Sequence, residues 1–91
     1  MRHLLVTQRR IPLARLDEYE DAWDDLCRTA AALGCHAWLY RAAEREDRFL
    51  EFVEWKDATP ASPGEDAGFV AAREVLDSNF GGGTAEQWVQ A

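Results

Sequence analysis

The order of two hydrophobic periodicities along the chain is the feature that most constrains its fold. Alternation of apolar residues with a period of two predicts three strands. These strands span residues 3–10, 35–42 and 48–56. Apolar residues at three- and four-residue steps predict two helices, at residues 16–33 and 63–80. A short regular segment, residues 84–91, predicts a last strand, so the order is βαββαβ.

This order predicts a single α+β domain, residues 1–91, of the ferredoxin-like class. A four-stranded antiparallel sheet would then carry both helices on one face. The strands are apolar on both faces, so the second face needs a cover. Since 91 residues alone bury only a thin core, we expect a second copy of the sheet to provide that cover in a homodimer.

Helix boundaries are predicted from capping residues. Asp17 with Glu20 three residues later is typical of the start of the first helix, and Gly34 is typical of its end. Ser62, followed by Pro63, is typical of the start of the second helix.

Charge and composition exclude several classes of function. A net charge of −7 disfavours nucleic acid and anionic membranes as partners, and no stretch is long and apolar enough for a signal peptide or a membrane span. We therefore expect a cytoplasmic protein. Cys27 and Cys35 fit no metal or redox spacing and are interpreted as reduced packing residues. The acidic residues of the first helix lie away from its apolar stripe, which indicates a solvated face rather than a metal site.

Several segments together resemble a known family. A first strand runs into a proline-containing turn, and an acidic amphipathic helix ends at Gly34-Cys35-His36. An aromatic strand, a polar hairpin and the phrase VEWKD, residues 53–57, follow. In these features the whole chain resembles the antibiotic biosynthesis monooxygenase-like (ABM) domains of the dimeric α/β-barrel superfamily.

The resemblance implies a homodimer with facing sheets and a small-molecule pocket between the sheet and the helices of each subunit. Known members include cofactor-free oxygenases of phenols and quinols, haem-degrading enzymes and proteins with no assigned reaction. The second helix lacks the histidine that haem-degrading members need, and the first strand lacks their asparagine, Thr7 and Gln8 standing in that region. The resemblance therefore implies oxidation of a small aromatic substrate by dioxygen with no cofactor, metal or flavin.

His36, Trp38 and Tyr40 are the first candidate site residues, because alternation places them on one face of a strand. His36 could take a proton from a phenol, and Tyr40 could hold the resulting oxyanion, so these two are the catalytic candidates. The alternative is that all three pack between the two sheets of the dimer.

The other candidates for ligand binding are Trp55, Arg73 and Asn79. Each has a structural alternative: core packing for Trp55, a helix cap for Asn79, and packing beside Phe69 for Arg73. Glu51 or Glu54 is expected inside, paired with Arg41 or Arg73. The leading hypothesis is one pocket lined by all six candidates. A non-catalytic binding or stress-associated dimer, and an isomerase or cyclase, remain as alternatives.

Overall fold

The computed structural model describes residues 1–57 and 62–91. Its strands are β1 (Arg2–Arg10), β2 (His36–Arg41), β3 (Arg48–Lys56) and β4 (Thr84–Val89). Its helices are α1 (Leu16–Ala32) and α2 (Ala67–Phe80), each preceded by a short 3-10 turn. Within the described ranges, no helix combines the length and the apolar character that a membrane crossing requires.

The four strands form one sheet in the order β2-β3-β1-β4, and every neighbouring pair is antiparallel. With one helix between β1 and β2 and the other between β3 and β4, this is the βαββαβ ferredoxin-like arrangement. The predicted fold class is confirmed.

The core lies between the sheet and the helices. Odd-numbered residues of β3 from Phe49 to Trp55 point towards the helices and are buried. Tyr19, Trp23 and Leu26 of α1 pack onto this face. The apolar stripe of α1 therefore faces the sheet, as expected for apolar residues at helical spacing.

The opposite side of the sheet, called the open face below, carries a continuous apolar surface that no described element covers. Strand register aligns its side chains in rows, for example Trp38, Phe52 and Val6 from three adjacent strands. Trp38, Tyr40 and Trp88 are 42%, 58% and 56% exposed. The remaining apolar members of the open face are Leu4 and Leu50.

The start of α1 differs from the prediction. The helix begins at Leu16, and Arg15 precedes it as an N-cap that makes no side-chain capping bond. Asp17 therefore lies inside the first turn, and the predicted capping pair with Glu20 is wrong. The negative charges of Asp17 and Glu18 still suit the positive end of the helix dipole.

The start of α2 also differs. The helix begins at Ala67 rather than Pro63, because the extended backbone of Asp66 separates it from the 3-10 turn Pro63–Glu65. The Asp66 carboxylate caps α2 by accepting from the backbone N–H of Phe69 across 2.8 Å. The competing cap signal at Ser62 marks the turn instead.

Candidate active site in the cleft beside Trp55

The six candidate residues lie on different sides of the molecule. His36, Trp38 and Tyr40 project from β2 onto the open face, opposite Glu54, Phe52 and Leu50. The other three belong to the helix side: Trp55 is buried beneath the helices, Arg73 is half-buried on α2, and Asn79 is exposed near the end of α2.

The single pocket expected from the sequence is therefore wrong, because the pleat separates the two groups. The amide of Asn79 donates to the carbonyl of Val75 inside its own helix, across 2.9 Å. The side chain of Asn79 is thus hydrogen-bonded within α2, but the C-cap of the helix is Gly81 and not Asn79.

Trp55 and Arg73 do share a cavity of about 310 Å³, called the Trp55 cleft below. Apolar side chains form much of its wall, and the ends of α2 and the sheet supply polar ones. Its lining comprises Leu5, Trp55, Ser62, Pro63, Gly64, Phe69, Val70, Arg73, Glu74, Asp77 and Gln87. A mostly apolar cleft with a few convergent polar groups is typical of a small-molecule site.

Arg73 is the cation of the Trp55 cleft. Among the residues that the structure describes, it has neither an ion-pair nor a hydrogen-bond partner. A half-buried guanidinium in this state is suited to bind an anionic oxygen of a ligand.

A second cavity, of about 200 Å³, adjoins the Trp55 cleft and shares Trp55, Ser62 and Gln87 with it. His3 and Asp57 line this second cavity. The ring of His3 stacks on Trp55 with centroids 5.4 Å apart and an angle of 12° between the ring planes. Nε2 of His3 is hydrogen-bonded to the Asp57 carboxylate.

Asp57 is held as an anion. The hydrogen bond with His3 lowers the pKa of its carboxyl group, and the amino terminus, 3.5 Å from Oδ2, acts in the same direction. With Asp57 ionised, Nε2 of His3 is the donor, so the neutral ring presents its lone pair at Nδ1.

Sequence reasoning missed this His3–Asp57 pair. His3 follows the alternation of β1, and Asp57 immediately follows β3, but 54 residues separate them. The antiparallel pairing of His3 with Trp55 brings them together. The sequence could have indicated this pair only if the first strand had been predicted to lie beside the strand that ends in VEWKD.

A buried polar network lies beneath the helices, next to the Trp55 cleft. Nε of Arg9 and the hydroxyl of Tyr19 each donate to Oε2 of Glu51 across 2.6 Å. Arg9 also binds Asp77, across 2.7 Å, and the carbonyl of Gly81. The expected internal glutamate is thus Glu51.

The partner predicted for Glu51 is wrong. Arg9 fills that role because it is a diagonal neighbour on β1, whereas Arg41 and Arg73 make no ion pair with Glu51 in the described structure. Burial alone would lower the pKa of Arg9, but the Glu51 and Asp77 carboxylates outweigh it and raise that pKa.

Three other depressions, of about 250, 340 and 470 Å³, lie on or beside the open face. None of the three brings a histidine together with a carboxylate. The geometry therefore favours the helix side as the candidate active site.

No group of three or more metal-binding side chains occurs within residues 1–57 and 62–91. The acidic residues of α1 are exposed, as predicted for a solvated face. Cys27 and Cys35 are unpaired, and burial raises the pKa of both thiols, which makes them weak nucleophiles.

Comparison with known proteins identifies the fold. No protein-family model and no curated protein matches the sequence. Solved structures do match over nearly the whole chain. A conserved protein from Methanosarcina mazei Go1 has a TM-score of 0.79 at 14% identity, covering 100% of this chain and 94% of that one. A structure named antibiotic biosynthesis monooxygenase has a TM-score of 0.74 at 16% identity, covering 100% and 99%.

A third similar structure carries a functional name. It is a variant of SnoaB, a cofactor-independent oxygenase from Streptomyces nogalater, with a TM-score of 0.68 at 18% identity over 99% of this chain and 92% of that one. This chain has the ABM fold. The ABM-like resemblance predicted from the sequence is confirmed at the level of structure.

Proposed function

We propose that this ABM-like protein is a cofactor-independent monooxygenase that oxidises a small phenol or quinol with dioxygen in the Trp55 cleft. The observation that carries the proposal is the cleft itself: an apolar wall, including Trp55 and Phe69, beside the cation of Arg73, which makes no ion pair with any described residue. The ABM fold, which SnoaB shares, supports the reaction type.

The proposed reaction needs no external reductant. A phenol and one dioxygen give a quinone and one water: one oxygen atom becomes the new carbonyl, and the other leaves as water. The water takes the hydroxyl hydrogen and the hydrogen of the oxidised ring carbon. The ring supplies all four electrons that dioxygen accepts.

The protein's contribution would be to bind the ring and favour its anion. A phenolate gives up electrons to dioxygen more readily than a phenol does. The Arg73 guanidinium would stabilise the phenolate oxygen, and the apolar wall would keep water away from the reacting carbon.

We also propose that the protein is a homodimer in which the open faces of two copies pack together. Trp38, Phe52 and Trp88 belong to a continuous apolar surface on a subunit of only 91 residues. The identical surface of a second copy is apolar to the same extent and fits a two-fold interface. The Trp55 cleft lies on the other side of the sheet and would stay accessible in such a dimer.

The reaction is tested by dioxygen consumption with a panel of phenols and quinols, followed by mass spectrometry after reaction with isotopically labelled dioxygen. We expect one labelled oxygen atom in the quinone. Arg73→Gln should lower kcat/KM about tenfold, whereas Arg28→Gln on the exposed side of α1 should not change it. Binding in the Trp55 cleft without any dioxygen consumption would refute the oxygenase and leave the non-catalytic binding module.

A further inference from the structure

We propose that His3 takes the proton from the substrate's hydroxyl group, so that the Trp55 cleft selects hydroxyarenes and binds them as their anions. This inference rests on the proposed site for a phenol or quinol, but it concerns the proton-transfer step alone.

His3 is held in one orientation by two contacts of different kinds. Its Nε2 donates to the Asp57 carboxylate, and its ring lies against Trp55 with 12° between the planes. The side chain is only 21% exposed. A hydrogen bond to one ring nitrogen fixes the tautomer, which leaves Nδ1 as the proton acceptor.

The position of His3 suits a substrate that lies along Trp55. The cavity with His3 and the Trp55 cleft with Arg73 share Trp55, Ser62 and Gln87, so they form adjoining parts of one surface depression. A flat aromatic ring in this depression would contact the indole, with its hydroxyl group towards the His3 end.

The proton-transfer step balances within the site. The O–H bond of the hydroxyarene breaks, its electron pair stays on oxygen, and the proton moves to Nδ1 of His3. The resulting imidazolium is stabilised by the ionised Asp57, and Arg73 offers a second cation to the phenolate. Asp57 acts through His3 and is a positioning residue.

Other charged groups near His3 belong to the same end of the sheet. The amino terminus of Met1 lies 3.5 Å from Asp57 and faces its second carboxylate oxygen. Lys56 lines the same cavity, together with the neutral Ser62 and Gln87. The adjoining Trp55 cleft adds the carboxylates of Glu74 and Asp77, and Asp77 is paired with Arg9.

The chain offers a matched comparison because it contains only two histidines. His36 also stacks on a tryptophan, Trp38, with centroids 5.9 Å apart, but it lies exposed on the open face. It has no carboxylate hydrogen-bonded to its ring in the described structure, whereas His3 has Asp57.

The experiment uses para-nitrophenol, whose anion absorbs visible light, so its ionisation is read directly without dioxygen or turnover. The absorbance of the bound probe is followed against pH for the wild type, His3→Gln, His36→Gln and Asp57→Asn. In the wild type we expect the apparent pKa of the bound probe to fall by about one unit, a tenfold change in its ionisation constant. His3→Gln should abolish this shift, Asp57→Asn should reduce it, and His36→Gln should retain it.

Circular dichroism and the binding constant at a pH where the probe is already ionised check that each variant is folded and still binds. An equal pKa shift in His3→Gln and the wild type, or a shift lost only in His36→Gln, would overturn the proposal. Failure of the wild type to bind the probe would also overturn it. A His3-dependent shift with no dioxygen consumption would support this inference and refute only the oxygenase.

Discussion

Arg9 and Glu51 lie diagonally across the β1–β3 pair, and the guanidinium donates to the carboxylate across 2.6 Å with side chains 0% and 5% exposed. Tyr19 donates to the same carboxylate from α1, and Asp77 of α2 binds the same guanidinium. The contact therefore links both helices to the middle of the sheet. A buried network in which every polar group has a partner fixes how the helices lie on the sheet. Removing one member leaves its partners buried without a hydrogen bond and lowers the stability of the fold.

Replacing Glu51 by alanine should lower the free energy of unfolding by about 3 kcal/mol, because the buried Arg9 would lose the acceptor of its Nε–H and Tyr19 would lose its only acceptor in the described structure. Urea unfolding followed by circular dichroism measures the loss. Asp25→Asn is the control, since the Asp25–Arg28 pair is exposed on α1 and should contribute no more than about 1 kcal/mol. Equal losses in the two variants would contradict the importance assigned to the buried network.

Tyr19 should make stability depend on pH in the alkaline range. Burial, followed by the charge and hydrogen bond of Glu51, raises the pKa of its hydroxyl, so the folded protein keeps a proton that an unfolded tyrosine loses near about pH 10. The stabilisation of the folded state by the protonated Tyr19 is therefore complete below about pH 10 and is lost as the pH rises further. Tyr19→Phe should therefore show a shallower alkaline decline in the free energy of unfolding than the wild type.

The stability difference between Tyr19→Phe and the wild type at neutral pH serves as the control for the difference at alkaline pH. At neutral pH the variant should be less stable by about 1 kcal/mol, because Glu51 loses a hydrogen bond. The difference between the two proteins should then shrink above about pH 10. If the free energies of unfolding of the two proteins fell in parallel above about pH 10, Tyr19 would have the same pKa in the folded and unfolded states, which would contradict the prediction.

The glycines between α2 and β4 should differ in their tolerance of a side chain. Gly83 has φ of +54°, and a Cβ there would lie 2.7 Å from the Gln8 carbonyl oxygen. Gly83→Ala should therefore cost about 2 kcal/mol or more of stability. A Cβ on Gly82 meets open space, so Gly82→Ala should change stability by less than about 1 kcal/mol. Thermal unfolding compares the pair, and equal effects would contradict the close approach at Gly83.

The homodimer proposal predicts that a charge on the open face separates the subunits. Trp38→Lys should sediment as a monomer at micromolar concentration, because lysine would place an unpaired charge in the interface. The side chain is 42% exposed in the single subunit, so the subunit itself should still fold. Val75 on α2 is 48% exposed, and Val75→Lys should remain a dimer. A monomeric wild type, or a dimer that survives Trp38→Lys, would contradict the proposed interface.

Much of the fold was predictable because periodicity reports which side of an element is buried. The bounds of β3 agree with the predicted strand 48–56, whose alternation of Phe49, Glu51 and Val53 with partly exposed residues is regular. The start of α2 was less predictable because Ser62 and Asp66 are both good caps. Only the backbone conformation at Asp66, which departs from the helix, decides between them.

The site was less predictable because its members come from opposite ends of the chain. Alternation correctly placed His36, Trp38 and Tyr40 on one face, but it could not say which face of the sheet the helices cover. His3 meets Asp57 only through the register of β1 on β3, which is a long-range property. The partner of Glu51 depends on the same register.

We propose that the two sides of the sheet have different partners, a hydroxyarene on the helix side and a second copy of the chain on the open face. The four tryptophans report on this proposal, because Trp55 lines the cleft, Trp23 lies in the core, and Trp38 and Trp88 lie on the open face. The most direct measurement is a two-dimensional NMR titration of the indole N–H signals with para-nitrophenol. We predict that the Trp55 signal shifts while those of Trp38 and Trp88 stay in place. A shift of the Trp38 or Trp88 signal without a shift of the Trp55 signal would refute the proposed binding of the hydroxyarene on the helix side.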